Sequence, residues 1–159
     1  MISAVRARSP LDRAADALML LTALLLFGVS AMTLTAMGVA YDQAGGSFLQ
    51  KFHPSTYTAC LALAVRFVAR PSPFGWLAAQ AARFPGATYF VTTWVVMVVF
   101  VAVAQQAPIS PIIDSFLCGV AFLVLYADAD ERVRATMRLA LHAFMLVNAC
   151  IGLGEFVTG

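Results

Sequence analysis

Polar side chains set in long apolar stretches are costly in a bilayer and mark functional positions by default. Asp42, Lys51, His53, Asp114 and Glu155 are the residues of this sequence that chemistry would draw on first. Lys51 and His53 are suited to an anionic group such as a lipid pyrophosphate. The helix start expected at His53-Pro54 favours the same negative charge through its free N–H groups. Asp114 and Glu155 are then placed to orient that group's partner or to neutralise the two bases. The simpler reading makes all five interfacial residues that cap helices and pair with one another.

Other chemistries find little support. Two distant histidines lack the ligand spacing of a zinc site, so neither a metal nor a cofactor is expected. The sequence has no G-x-S-x-G, P-loop or dinucleotide fingerprint, and no catalytic residue is assigned. Cys60, Cys118 and Cys150 are odd in number, lie in apolar runs and form no C-x-x-C pair. They read as small packing residues. Ser47 after Gly45-Gly46 reads as part of a turn.

These residues need elements to position them, and composition says which. Hydrophobic residues make up 62% of the chain and charged ones 11%, with a mean hydropathy of +0.86. Soluble domains are nearer 45 to 50% apolar and about 25% charged. The fold class expected is therefore all-α, a polytopic membrane bundle of about five transmembrane helices forming one domain, 1–159. The spans expected are about 17–40, 53–69, 86–104, 112–127 and 139–157. The run 17–40 outlasts the h-region of a secretory signal, so it reads as a span even though Val29-Ser30-Ala31 resembles a cleavage site. Arg66 and Arg70 are expected to snorkel from the end of the second span. The stretch 71–85, with Trp76 and Arg83, reads either as a short interfacial helix or as an amphipathic connector. Asp128 is the expected N-cap of the last helix, with Glu131 as its capping-box partner. Within that helix Asn148, Gly152 and Glu155 share one stripe expected to face protein, and His142 is expected to hydrogen-bond within the bundle.

Charge sets the orientation. Arg6, Arg8 and Arg13 precede the first span, Arg66, Arg70 and Arg83 lie between the second and third, and Arg132, Arg134 and Arg138 precede the fifth. The two remaining connections hold Lys51 alone. The positive-inside rule therefore puts the N-terminus in the cytoplasm and brings Lys51, His53, Asp114 and Glu155 to the outer face. A net charge of +2, dispersed along the chain, excludes a nucleic-acid partner. No internal repeat suggests a duplicated transporter fold.

Three short segments carry a resemblance: Lys51-Phe52-His53-Pro54-Ser55-Thr56-Tyr57, Pro111-Ile112-Ile113-Asp114-Ser115-Phe116 and Gly152-Leu153-Gly154-Glu155-Phe156. Together they look similar to the N-terminal region of bacterial polysaccharide polymerases of the O-antigen ligase and polymerase type. The resemblance covers roughly 41–159. It implies a component of the bacterial inner membrane that handles an undecaprenyl pyrophosphate-linked glycan at the periplasmic face. Such enzymes usually have more spans and a large, basic periplasmic loop in their later half. This chain is then expected to be the front part of such a protein or a shortened relative, and no catalytic residue carries over. The alternatives are a non-enzymatic subunit that assembles with other membrane subunits, and a small transporter component moved by protons through Asp114, Glu155 or His142.

Overall fold

The structure is a computed structural model that describes residues 9–39, 51–106 and 110–158, with the side chains of 31, 110, 111, 115, 155 and 158 outside that description. Among the described residues all regular structure is helical, and there is no strand. Asp42 and the loop around it fall outside the described residues, as does the side chain of Glu155.

Helix α1 (Pro10–Gly28) starts in a capping box. The Ser9 hydroxyl accepts from Asp12 N–H, and the Asp12 carboxylate accepts from Ser9 N–H. Proline at the first helical position supplies a suitable φ and forfeits only a donor that had no partner. The apolar run 17–40 is not one helix. Val29 is extended at φ −115°, and Ser30 caps a new short helix, α2 (Ala31–Ala36), by accepting from Thr33 N–H at 3.1 Å. Hydropathy registers the run but not this break, because a β-branched residue followed by serine favours an extended cap without lowering apolarity much. Gly38, at φ +77°, follows α2 in a conformation that only glycine adopts freely.

Helix α3 (Pro54–Val68) opens at the His53 N-cap, as the His53-Pro54 pair implies. Its 15 residues extend about 22 Å, short of a hydrocarbon core of about 30 Å. The stretch after it is helical: α4 (Pro73–Arg83) has no buried residue. Helix α5 (Pro85–Phe100) continues through a π-type turn, Val101–Gln105, and stops where Gln106 takes a left-handed conformation at φ 49°. Helix α6 (Ser110–Asp128) runs past the expected end at 127, and α7 (Glu131–Thr158) contains the stretch 139–157 together with the polar turns expected before it.

The chain divides into two compact units, Met1–Asp128 and Ala129–Gly159. In the first, α1 packs on α3 and α3 on α6 through small residues: Ala15, Ala23, Ala59, Ala62, Cys118 and Ala121 are all buried. Such residues let helix backbones approach closely, the packing mode expected where lipid removes the hydrophobic drive between helices. Helix α1 is antiparallel to α3: its C-terminal Val29 meets His53 and its N-terminal Asp12 meets Arg66. Helices α3 and α6 run in the same direction, since their first turns share Asp114 and their far ends share Asp128. Helix α5 runs against α6, with Phe90 and Phe116 in contact at 5.8 Å between ring centres.

The second unit is α7. Its N-cap is Asp130, whose carboxylate accepts from Val133 N–H at 2.8 Å. The expected cap Asp128 lies instead at the end of α6, and its carboxylate is occupied there by Arg70. Among the described residues, two helical stretches are long and apolar enough to cross a membrane, Pro85–Gln105 and Glu131–Gly154.

Candidate functional site

Two polar clusters occupy opposite ends of the first unit. At one end, His53 closes the first turn of α3 with both ring nitrogens engaged. Nδ1 accepts from Ser55 N–H at 3.2 Å and stands 2.7 Å from the Ser55 hydroxyl, while Nε2 lies 2.9 Å from the carbonyl oxygen of Val29. A nitrogen that accepts from an amide carries no proton, so the proton sits on Nε2 and is donated to Val29. Asp114, 61 positions further on, accepts from His53 N–H at 2.9 Å and from the Thr56 hydroxyl at 2.7 Å. Two N–H groups left free by the start of α3 are thereby matched, one by the His53 ring and one by a carboxylate from α6. Ser55 is fully buried, and the Cys118 thiol approaches its hydroxyl at 3.6 Å.

Of the four residues expected to meet at an outer face, the structure therefore brings His53 and Asp114 together. Lys51 is half-buried two positions before His53 and forms no ion pair among the described residues. The start of α3 itself, expected to favour an anion, offers it no free donor, since Thr56 N–H bonds the His53 carbonyl at 2.9 Å while Asp114 and the His53 ring take the other two N–H groups. Trp94 Nε1 reaches the carbonyl of Ile112 at 3.4 Å, tying α5 to the segment that carries Asp114.

The second cluster corrects the expectation of snorkelling arginines. Arg66 is fully buried. Its Nη1 donates to Asp12 Oδ1 at 2.8 Å and its Nη2 to Asp16 Oδ1, while Nε lies 3.3 Å from Asp128 Oδ2 without the alignment of a hydrogen bond. Arg70 binds Asp128 Oδ2 and approaches Asp12 Oδ1 at 3.4 Å. Trp76 Nε1 donates to Asp128 Oδ1 at 3.1 Å, and the Arg70 guanidinium stacks over the Trp76 ring at 5.7 Å. Burial works against ionisation of Asp12, but hydrogen bonds from Arg66 and Ser9 and the charge of Arg70 outweigh it and hold the carboxyl below its ordinary value of 3.8. The cluster joins four helices: α1, α3, α6 and, through Trp76, α4.

A sequence signal for this cluster does exist. Asp12 and Asp16 stand four apart on α1, and Arg70 stands four positions after Arg66, just past the C-cap of α3 at Ala69. Opposite charges with matching i,i+4 spacing on two helices can meet as paired rows when the helices pack. Only the antiparallel alignment of α1 with α3 makes the rows coincide.

On α7, polar groups turn back on their own helix. His142 Nδ1 lies 2.6 Å from the Arg138 carbonyl, and Asn148 donates to the Phe144 carbonyl at 2.9 Å. Both residues are exposed. Glu131 pairs with Arg134 and Arg138, so the first turns carry a short charged network. The described residues contain no group of His, Cys, Asp and Glu arranged to hold a metal ion. No family model, curated protein or solved structure matches the chain.

Proposed function

We propose that this chain is a multi-pass component of bacterial surface-polysaccharide assembly, set in the inner membrane with its N-terminus in the cytoplasm. In this reading it engages an undecaprenyl pyrophosphate-linked glycan at the periplasmic face. The observation that supports it best is the link between His53, Thr56 and Asp114. Two of the three segments that resemble the polysaccharide polymerases are thereby hydrogen-bonded at one end of the helix bundle, beside Lys51. Lys51 is the cation for the carrier's pyrophosphate, and His53 and Asp114 are positioning residues that hold the start of α3 in place.

The five-span topology belongs to the same proposal. Helices α1, α3, α5 and α6 alternate in direction as four spans would, and the basic residues Arg66 and Arg70 share one end with the start of α1. That end is the cytoplasmic one by the positive-inside rule.

Deleting the gene and separating surface polysaccharide by gel electrophoresis tests the reading. Loss or shortening of the polymer is expected, restored by the unaltered chain and poorly by Lys51→Ala, with Lys51→Arg intermediate. Polymer of unchanged amount and length in the deletion strain overturns it. A second reading, a subunit that assembles with other membrane proteins, is favoured by the exposed apolar surface of α7, including Leu139, Leu146, Leu153 and Phe156. It predicts a partner retained in constant ratio through purification in mild detergent.

A further inference from the structure

The His53 ring ties two helix ends together, and a second proton on it would spare one tie and break the other. Nε2 donates to the carbonyl of Val29, which the extended backbone after α1 leaves outside the helical ladder, and it donates in the neutral and charged rings alike. Nδ1 accepts from Ser55 N–H at 3.2 Å, which a protonated nitrogen cannot do. The Ser55 hydroxyl, 2.7 Å from Nδ1, can accept the new proton, but the Ser55 amide has then lost its acceptor. Ser55 is fully buried, so water does not replace that acceptor while the turn stays closed.

The amide in question is one of the few donors of a helix start, where no ladder bond shares the load. Its release leaves the start of α3 held by Asp114, which accepts from His53 N–H and from the Thr56 hydroxyl. Among the described residues, the charged and titratable groups around the ring come from two sides. Lys51 and Tyr57 flank it in its own segment, and α6 brings Asp114 and, against the Ser55 hydroxyl, Cys118. The stretch 17–39, which holds Val29, contains no charged or titratable side chain, and neither does the half of α5 beside Ile112.

We infer that the first turn of α3 is a proton-controlled latch, closed while the His53 ring is neutral and opened when Nδ1 takes a proton. Imidazole is the side chain whose ordinary change of charge falls between about pH 5 and 8, the range in which such a latch responds. The bond from Nε2 to Val29 keeps the ring against the end of α1 while the backbone of α3 lets go. The latch stands on these hydrogen bonds and does not rest on the polysaccharide reading.

The test uses the full chain in phospholipid nanodiscs, labelled with ¹⁵N-histidine and carrying His142→Gln so that His53 gives the only ring signals. Ring nitrogen shifts and backbone amide protection are recorded from about pH 8 to about pH 5. At the alkaline end Nε2 is expected to carry the proton and Nδ1 none, and at the acid end both. The protection factor of the Ser55 amide should fall about fivefold, the opening that loss of one cap bond allows, and should follow the ring's own titration point by point, while amides in the middle of α3 keep theirs. His53→Asn supplies an acceptor that does not titrate in this range, and should hold the Ser55 amide equally protected throughout. An Nδ1 still unprotonated at the acid end overturns the latch, as does a protonated ring with Ser55 protection unchanged, or a loss of protection that persists in His53→Asn. Should His53→Asn fail to fold, the match between ring titration and Ser55 protection still decides.

Discussion

Arg66 carries a full charge with its side chain 1% exposed, and its three carboxylate neighbours are only 9 to 15% exposed. Removing one partner of such a pair leaves a charge buried without compensation, which costs about 3 to 5 kcal/mol. Arg66→Ala is therefore expected to lower unfolding stability by that order, read from denaturation in nanodiscs. Arg66→Lys should recover only part, because an ammonium cannot present the planar fork that reaches Asp12 and Asp16 together. The same cluster sets an acid limit. Asp12 titrates below 3.8 in the folded chain, so the unfolded state takes up protons first as pH falls. The stability it contributes is complete above the ordinary carboxylate range and is lost as pH drops through the lower, folded value. Unfolding midpoints should hold steady from neutral pH down to that range and then fall, and Asp12→Asn should flatten part of this acid limb. At the other cluster, Asp114→Asn keeps the shape but weakens a charged acceptor of two hydrogen bonds, for an expected loss of roughly 1 to 3 kcal/mol by the same denaturation. The residues of the His53–Asp114 cluster could be picked out from the sequence because carboxylates and imidazoles are rare in apolar stretches. Their geometry could not, since His53 and Asp114 are 61 positions apart.

At the scale of elements, apolar runs locate helices well and divide them poorly. The spans expected at 53–69 and 86–104 correspond closely to α3 and to α5 with its π-type extension. The run 17–40 does not correspond to one helix, because the break at Val29 and Ser30 depends on backbone preference and a single capping bond. At the start of α7 two carboxylates compete for one role. Asp128 and Asp130 are both suitable caps by type, and the ion pair with Arg70 takes Asp128 out of that role. Asp130→Ala should therefore cost α7 about 1 kcal/mol, seen as faster amide exchange in its first turn, while the same change at Asp128 should disturb α3 and α4 instead.

For the whole molecule, the proposed topology makes its own prediction. Single cysteines at Lys51 and Arg83, introduced with the native cysteines replaced, should react with a membrane-impermeant maleimide from opposite sides, Lys51→Cys in intact cells and Arg83→Cys only in inverted vesicles. Labelling of both from one side would remove the alternation. The sequence alone established that the chain is rich in apolar residues, 62% of the total, and its long apolar runs pointed to the helices that the structure has. Of the five spans expected from it, two coincide with helices that, among the described residues, are long and apolar enough to cross a membrane, since length and hydropathy are properties of a continuous segment. Tertiary structure alone decided which charges neutralise which. An arginine near a helix end has the same local sequence whether it reaches for water or for a carboxylate. Only the antiparallel alignment of α1 with α3, and the arrival of α6 beside them, turned Arg66 and Arg70 from interfacial anchors into the centre of a buried ion network.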